Sequence, residues 1–172
     1  MRRAIFFVVL LSGCSFFSKS KSTIYSLERI PGTSVAAVRG TPIGIDAVEM
    51  PPGFDRREIV VRQADHKLDV RASQLWASAL SDQVLHTLSF DLQSRLPEGM
   101  VVLPGQAKPS SMRAVTVVFE EFSAGPDPVV TLDAHWLEHR EHITVPIPSL
   151  DSKDVATGYS QALAQLADKM AQ

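Results

Sequence analysis

A chain of 172 residues with formal charge -2 and 45% hydrophobic residues has the size of one ordinary domain with a real core. Mild acidity leaves no electrostatic footprint for nucleic acid or anionic lipid. The single cysteine excludes a disulfide framework, so stability must come from packing.

The N-terminus reads as a leader. Arg2 and Arg3 precede the apolar run Ala4 to Leu11, and small residues lead into Cys14. That run falls far short of the ~20 residues a spanning helix needs, so it reads as a cleaved signal. Leu11-Ser12-Gly13-Cys14 resembles the bacterial lipobox, whose thiol receives a diacylglyceryl group before cleavage exposes its amine to a further acyl chain. The expected organisation is a signal peptide at 1–13, an acylated Cys14 with its tether at 14–22, and one periplasmic domain at 23–172. Each lipid CH₂ contributes roughly 0.8 kcal/mol on entering a membrane, and two or three chains make attachment close to permanent. Ser15, where an inner-membrane retention signal would place aspartate, favours the outer membrane. Extended residues reach at most ~3.3–3.6 Å each, so the polar stretch Ser15 to Ser22 holds the domain within roughly 30 Å of its bilayer.

Thr23 to Arg29 alternates apolar and polar residues and predicts a first strand. Thr41 to Met50 predicts a second, stopped by Pro51-Pro52-Gly53. Ile59 to Arg62 and Lys67 to Val70 form a hairpin around Ala64-Asp65-His66. Gln74 to Leu96 reads as a helix, with Trp76, Leu80, Val84, Leu88, Leu92 and Leu96 recurring every four residues and Ser73 as its N-cap. Val101 to Leu103 is a short strand, Arg113 to Phe122 a strong one, and Val129 to Arg140 alternates cleanly before a last strand at His142 to Ile147. Asp151 to Met170 is the second helix, capped by Asp151 or Ser152 with Asp154 in its first turn. The order strands, helix, strands, helix implies an α+β domain: a mainly antiparallel sheet with two amphipathic helices on one face.

Chemistry-bearing clusters are few. His135, His139 and His142 interleave with Glu138 and Glu141, and a metal-dependent enzyme would have to use them. Within one strand His135 and His139 would share a face with Cα atoms ~13 Å apart, too far to share one zinc, so the cluster reads as a solvated strand face and turn. No nucleophile elbow or phosphate-binding loop is present. Asp55-Arg56-Arg57-Glu58 fits either a partner-binding cluster or a solvated turn. Trp76 and Trp136 fit core or interface better than a ligand cage.

Ile45 to Pro51, the run Asp55-Arg56-Arg57-Glu58-Ile59-Val60-Val61-Arg62, Leu68, and Trp76 to Leu80 ahead of Leu88, Leu92 and Leu96 together resemble the ABC-type transport auxiliary lipoprotein family. The lipobox, the strand Leu132 to Trp136 and the alanine-rich last helix fit the same family. The resemblance implies a non-enzymatic lipoprotein of the outer membrane. It would dock an MCE-domain protein, anchored in the inner membrane, that carries lipid across the periplasm with its transporter. It implies no cofactor beyond the covalent lipid on Cys14, and no catalytic residues. Asp55, Arg56, Arg57, Arg62 and Trp76 would be partner surface. Symmetry leaves room for a homo-oligomer. The competing reading is a lipid carrier with its own phospholipid pocket between sheet and helices.

Overall fold

The computed structural model describes residues 21–34 and 40–172, so the leader, Cys14 and most of the tether lie outside the described residues. Within the described residues the order is β1 (Thr23–Tyr25), β2 (Ile43–Glu49), β3 (Glu58–Arg62), β4 (Leu68–Trp76), α1 (Leu80–Arg95), β5 (Arg113–Ala124), β6 (Val129–Trp136), β7 (His139–Pro146) and α2 (Ser152–Met170). This is the α+β order that the periodicities imply.

The strands form one sheet in the order β1-β4-β3-β5-β6-β7, with β2 beside the first half of β5. Antiparallel pairing dominates through β3–β4, β5–β6 and β6–β7. The sheet is nonetheless mixed, because β1–β4, β2–β5 and β3–β5 are parallel. β5 is the long central strand. On one side it carries β2 and, at Ala124, Val61 near the end of β3; on the other it carries β6.

Alternation decides which face is covered. Val130, Leu132, Ala134 and Trp136 of β6 are buried while the residues between them are half-buried. Both helices pack on that apolar face, and their residues join the sheet's in one core. At its centre Phe122 stacks near Tyr159 at 4.2 Å, and the Tyr159 hydroxyl donates to the Phe122 carbonyl at 3.0 Å. Gly158 lets α2 sit close to the sheet, since a Cβ there would lie 2.5 Å from Ile147 and 2.7 Å from Val130.

Several boundaries differ from the sequence expectation. The stretch from Gln74 to Trp76 is strand rather than helix. Gln74, Leu75 and Trp76 pair with β1, Glu58 of β3 pairs with Leu75, and the Trp76 amide donates to the Arg57 carbonyl. Ladder bonds on both sides outweigh a four-residue apolar spacing that continues by coincidence into the true helix. Ser73 is therefore a strand residue, and α1 begins after Ala79, which has no polar side chain to cap with. At α2, Asp151 occupies the N-cap position but its side chain makes no capping bond. Ser149 instead accepts from the Asp151 amide and donates to Asp154.

β1 also ends early, at Tyr25, and the chain from Ser26 leaves the sheet to lie along the helices. β6 stops at Trp136 because Leu137, at φ 51°, turns the chain straight into β7. Val101 contributes only an isolated bridge to Ile43.

Candidate functional site

The face of the sheet without helices divides into two unlike halves. Over β5–β7 it is polar. His135 Nδ1 lies 3.5 Å from Glu120, Arg140 pairs with the same carboxylate, and His142 Nδ1 lies 2.6 Å from Asp133. His139 is not part of this lattice. It pairs across the hairpin with Trp136 and stacks on that ring at 5.4 Å, on the opposite face from His135. The single-strand arrangement expected for His135 and His139 is thus replaced by a hairpin that separates them. Among the described residues no group of three or more His, Cys, Asp or Glu could hold a metal ion.

Over β3–β4 the same face is apolar. Directly paired residues share a face: Ile59 and Val61, in the core, sit opposite Arg71 and Asp69, whereas Val60 and Arg62 sit opposite Val70 and Leu68. β4 therefore turns its polar row toward the helices and its apolar row outward. Leu68 is 42% exposed and Val70 40% exposed, with Ala72 next in the row. What pins this orientation is Arg71. Its guanidinium donates to Ser152 Oγ at 2.8 Å and to the Leu150 carbonyl at 2.7 Å, both at the start of α2, and to Asp69 on its own strand at 3.2 Å. A one-residue slip would turn the apolar row inward but strand those bonds. The turn after β2 folds onto the same face and buries Phe54 and Val60 beneath it.

The residues expected at a partner surface divide between this patch and structural duties. Arg62 lies on the patch, its guanidinium 5.0 Å from the Phe54 ring centroid. It also donates to Ser123 Oγ at 3.0 Å and lies 3.4 Å from Glu121. Arg56 and Arg57 are exposed on the turn at the far end of the row. Arg56 donates to Glu58 at 3.0 Å. Glu58's own backbone amide and then Arg56 hold its carboxyl below the usual carboxylate range.

Asp55 serves the fold. Its carboxylate accepts from the Ser81 amide at 3.0 Å, capping α1 from a distant turn where Ala79 cannot. Trp76 lies in the core at 2% exposure, its ring 5.6 Å from Tyr159. It backs β4 from within and presents no surface. Burial pushes the Tyr159 hydroxyl well above its ordinary pKa, so it stays a neutral donor to Phe122.

Two features escaped the sequence. One is the outward row of β4, because alternation shows which residues share a face but not which face is covered. The other is a buried charged group on α1. Arg95, 3% exposed, donates to Asp168 at 2.5 Å and to the Ile30 and Asp91 carbonyls. Asp91, 1% exposed, has its carboxyl raised to about 6 by burial. The Ile30 amide, Arg95 and Arg29 oppose that rise.

A half-open cleft of about 370 Å³ lies at the ends of both helices, lined by Ile43, Leu96, Met100, Arg113 and Met170. That is near the lower limit for small-ligand pockets.

The chain is similar over most of its length to known proteins. It is 28% identical over 160 residues to the intermembrane transport lipoprotein PqiC of Escherichia coli strain K12, covering 91% of this chain and 84% of that one. The Shigella flexneri protein of the same name gives the same values. Two crystal structures share the fold. An uncharacterized protein superposes with a TM-score of 0.72 at 19% identity, over 88% of this chain and 97% of that one. Protein XCC0632 from Xanthomonas campestris gives 0.65 at 18% identity, over 87% and 93%. Residues 25–171 match the model of the ABC-type transport auxiliary lipoprotein component, and the chain belongs to that family.

Proposed function

We propose that this chain is an outer-membrane lipoprotein, acylated at Cys14, that docks an inner-membrane-anchored MCE-type lipid transporter from the periplasmic side. The observation that carries the docking reading is the outward apolar row of β4, with Arg62 at one end and Arg56 and Arg57 at the other. An apolar row held toward solvent by hydrogen bonds on its reverse face supports an interaction site. The E. coli relative's description as an intermembrane transport lipoprotein supports a role between two membranes. A short tether supports a fixed end-piece, to which a longer partner must come.

Leu68→Asp with Val70→Asp tests the reading. Both side chains are about 40% exposed but lie in a strand, where aspartate is disfavoured, so stability should fall by about 1–2 kcal/mol with the fold retained. Co-purification of the MCE protein should fall at least about tenfold, because two charges would be carried into an apolar contact. Unchanged co-purification would remove this face from the docking reading. The cleft beside Arg113 is the candidate pocket for the carrier reading, though at about 370 Å³ it could hold only part of a phospholipid. Stoichiometric phospholipid on the unacylated chain in native mass spectrometry would establish it.

A further inference from the structure

Residues Ser26 to Gly32 form a strap that crosses the helices: Leu27 is buried in the core and Arg29 lies 3.4 Å over the Phe90 ring, while the backbone of the strap is held by polar helix side chains. The Leu27 amide donates to Gln83 Oε1 at 2.9 Å, Glu28 to Ser160 Oγ at 3.0 Å, Ile30 to Asp91 Oδ1 at 2.8 Å and Gly32 to Ser94 Oγ at 3.1 Å. Arg95 closes the set by donating to the Ile30 carbonyl. Gly32 passes so near Arg95 that a Cβ would lie 2.5 Å from its Cζ.

Among the described residues, two side chains carry buried polar atoms with no hydrogen-bond partner: Gln83 at Nε2 and Asp91 at Oδ2. Both belong to the grip on the strap. Two of the four docked contacts, those to Gln83 and Asp91, therefore leave their holders under-satisfied, and water would satisfy both once the strap lifts. Ahead of the strap, β1 is a three-residue strand at the sheet's edge, with Ile24 62% exposed. Asp91's elevated pKa acts in the same direction. Arg95 on its own helix and Arg29 on the strap face it favourably, while Asp168 on α2 opposes. The carboxylate ionised above about 6 gains hydration on release.

We propose that Thr23 to Gly32 is a releasable second length of tether, which peels from the sheet edge and helices as one unit and lets the domain stand farther from its membrane. The proposal rests on the lipid anchor at Cys14. At ~3.3–3.6 Å per residue, release adds about as much reach as Ser15 to Ser22 provides.

Hydrogen exchange on the full chain tests it. The amides of Leu27, Glu28, Ile30 and Gly32 should exchange together, at least about a hundredfold faster than those of β6 after correction for intrinsic rates. Ser160→Ala should speed them further, about tenfold, and leave β6 unchanged. Strap exchange at the rate of β6, or a variant that accelerates both alike, would overturn release, because the strap would then open only with the whole domain. The anchor is read separately, by labelled palmitate. Absence of label at Cys14 would overturn the tether role, whatever the exchange shows.

Discussion

Single residues show where physical duty and surface appearance part. Asp55 looks in sequence like a member of an exposed charge cluster, yet its carboxylate caps α1 across 26 positions of chain. Asp91 looks like an ordinary polar residue on a helix flank, but the strap covers it and leaves one oxygen unpaired. Its raised pKa has a definite consequence. The folded state holds this proton more tightly than the unfolded chain does. Its contribution to stability therefore grows as pH falls through about 6 toward 4 and is least above 6. The full effect is on the order of 2–3 kcal/mol. Asp91→Asn keeps the acceptor for Ile30 and removes the buried charge. Denaturant unfolding should then show the variant about 1–2 kcal/mol more stable than the parent at pH 7.5, with the difference vanishing near pH 4. Loss of stability at pH 7.5 would mean that Arg95 pairs with this carboxylate more strongly than burial opposes it.

At the scale of elements, patterning was a good guide where one face alone is buried. β6 alternates as expected, and α2 runs almost as its stripe predicts. It misled at Trp76, where the same spacing satisfies strand and helix, and only pairing with β1 and β3 decides between them. α1 is legible as a helix but not in its burial. Asp91 and Arg95 are buried there because the strap lies on a flank that composition marks as polar. The outward row of β4 was legible as a strand and illegible as a surface, since its facing is set by Arg71 reaching the start of α2. The contact of α2 with the sheet gives a sharp test. Gly158→Ala gains about 1 kcal/mol of helix propensity, but its methyl would meet Val130 and Ile147 at 2.5–2.7 Å. Overpacking of this kind costs about 1–3 kcal/mol, and Gly158→Val costs more. Thermal unfolding should therefore show Gly158→Ala unchanged or destabilised and Gly158→Val strongly destabilised. A more stable valine variant would contradict the close packing.

The described residues are one-sided: helices and strap lie on one face of the sheet, and on the other lies no helix but the turn after β2. That face is charged over β5–β7 and apolar over β3–β4, so burial of apolar surface could drive a contact only on the β3–β4 half. If docking uses the apolar half, a photo-crosslinking amino acid at position 70 in living cells is the most direct probe, with position 144 on β7 as its control. The account predicts an adduct containing the MCE protein from position 70 and little or none from position 144. Adducts from 144 alone, or none from 70 while the partner is present, would contradict it.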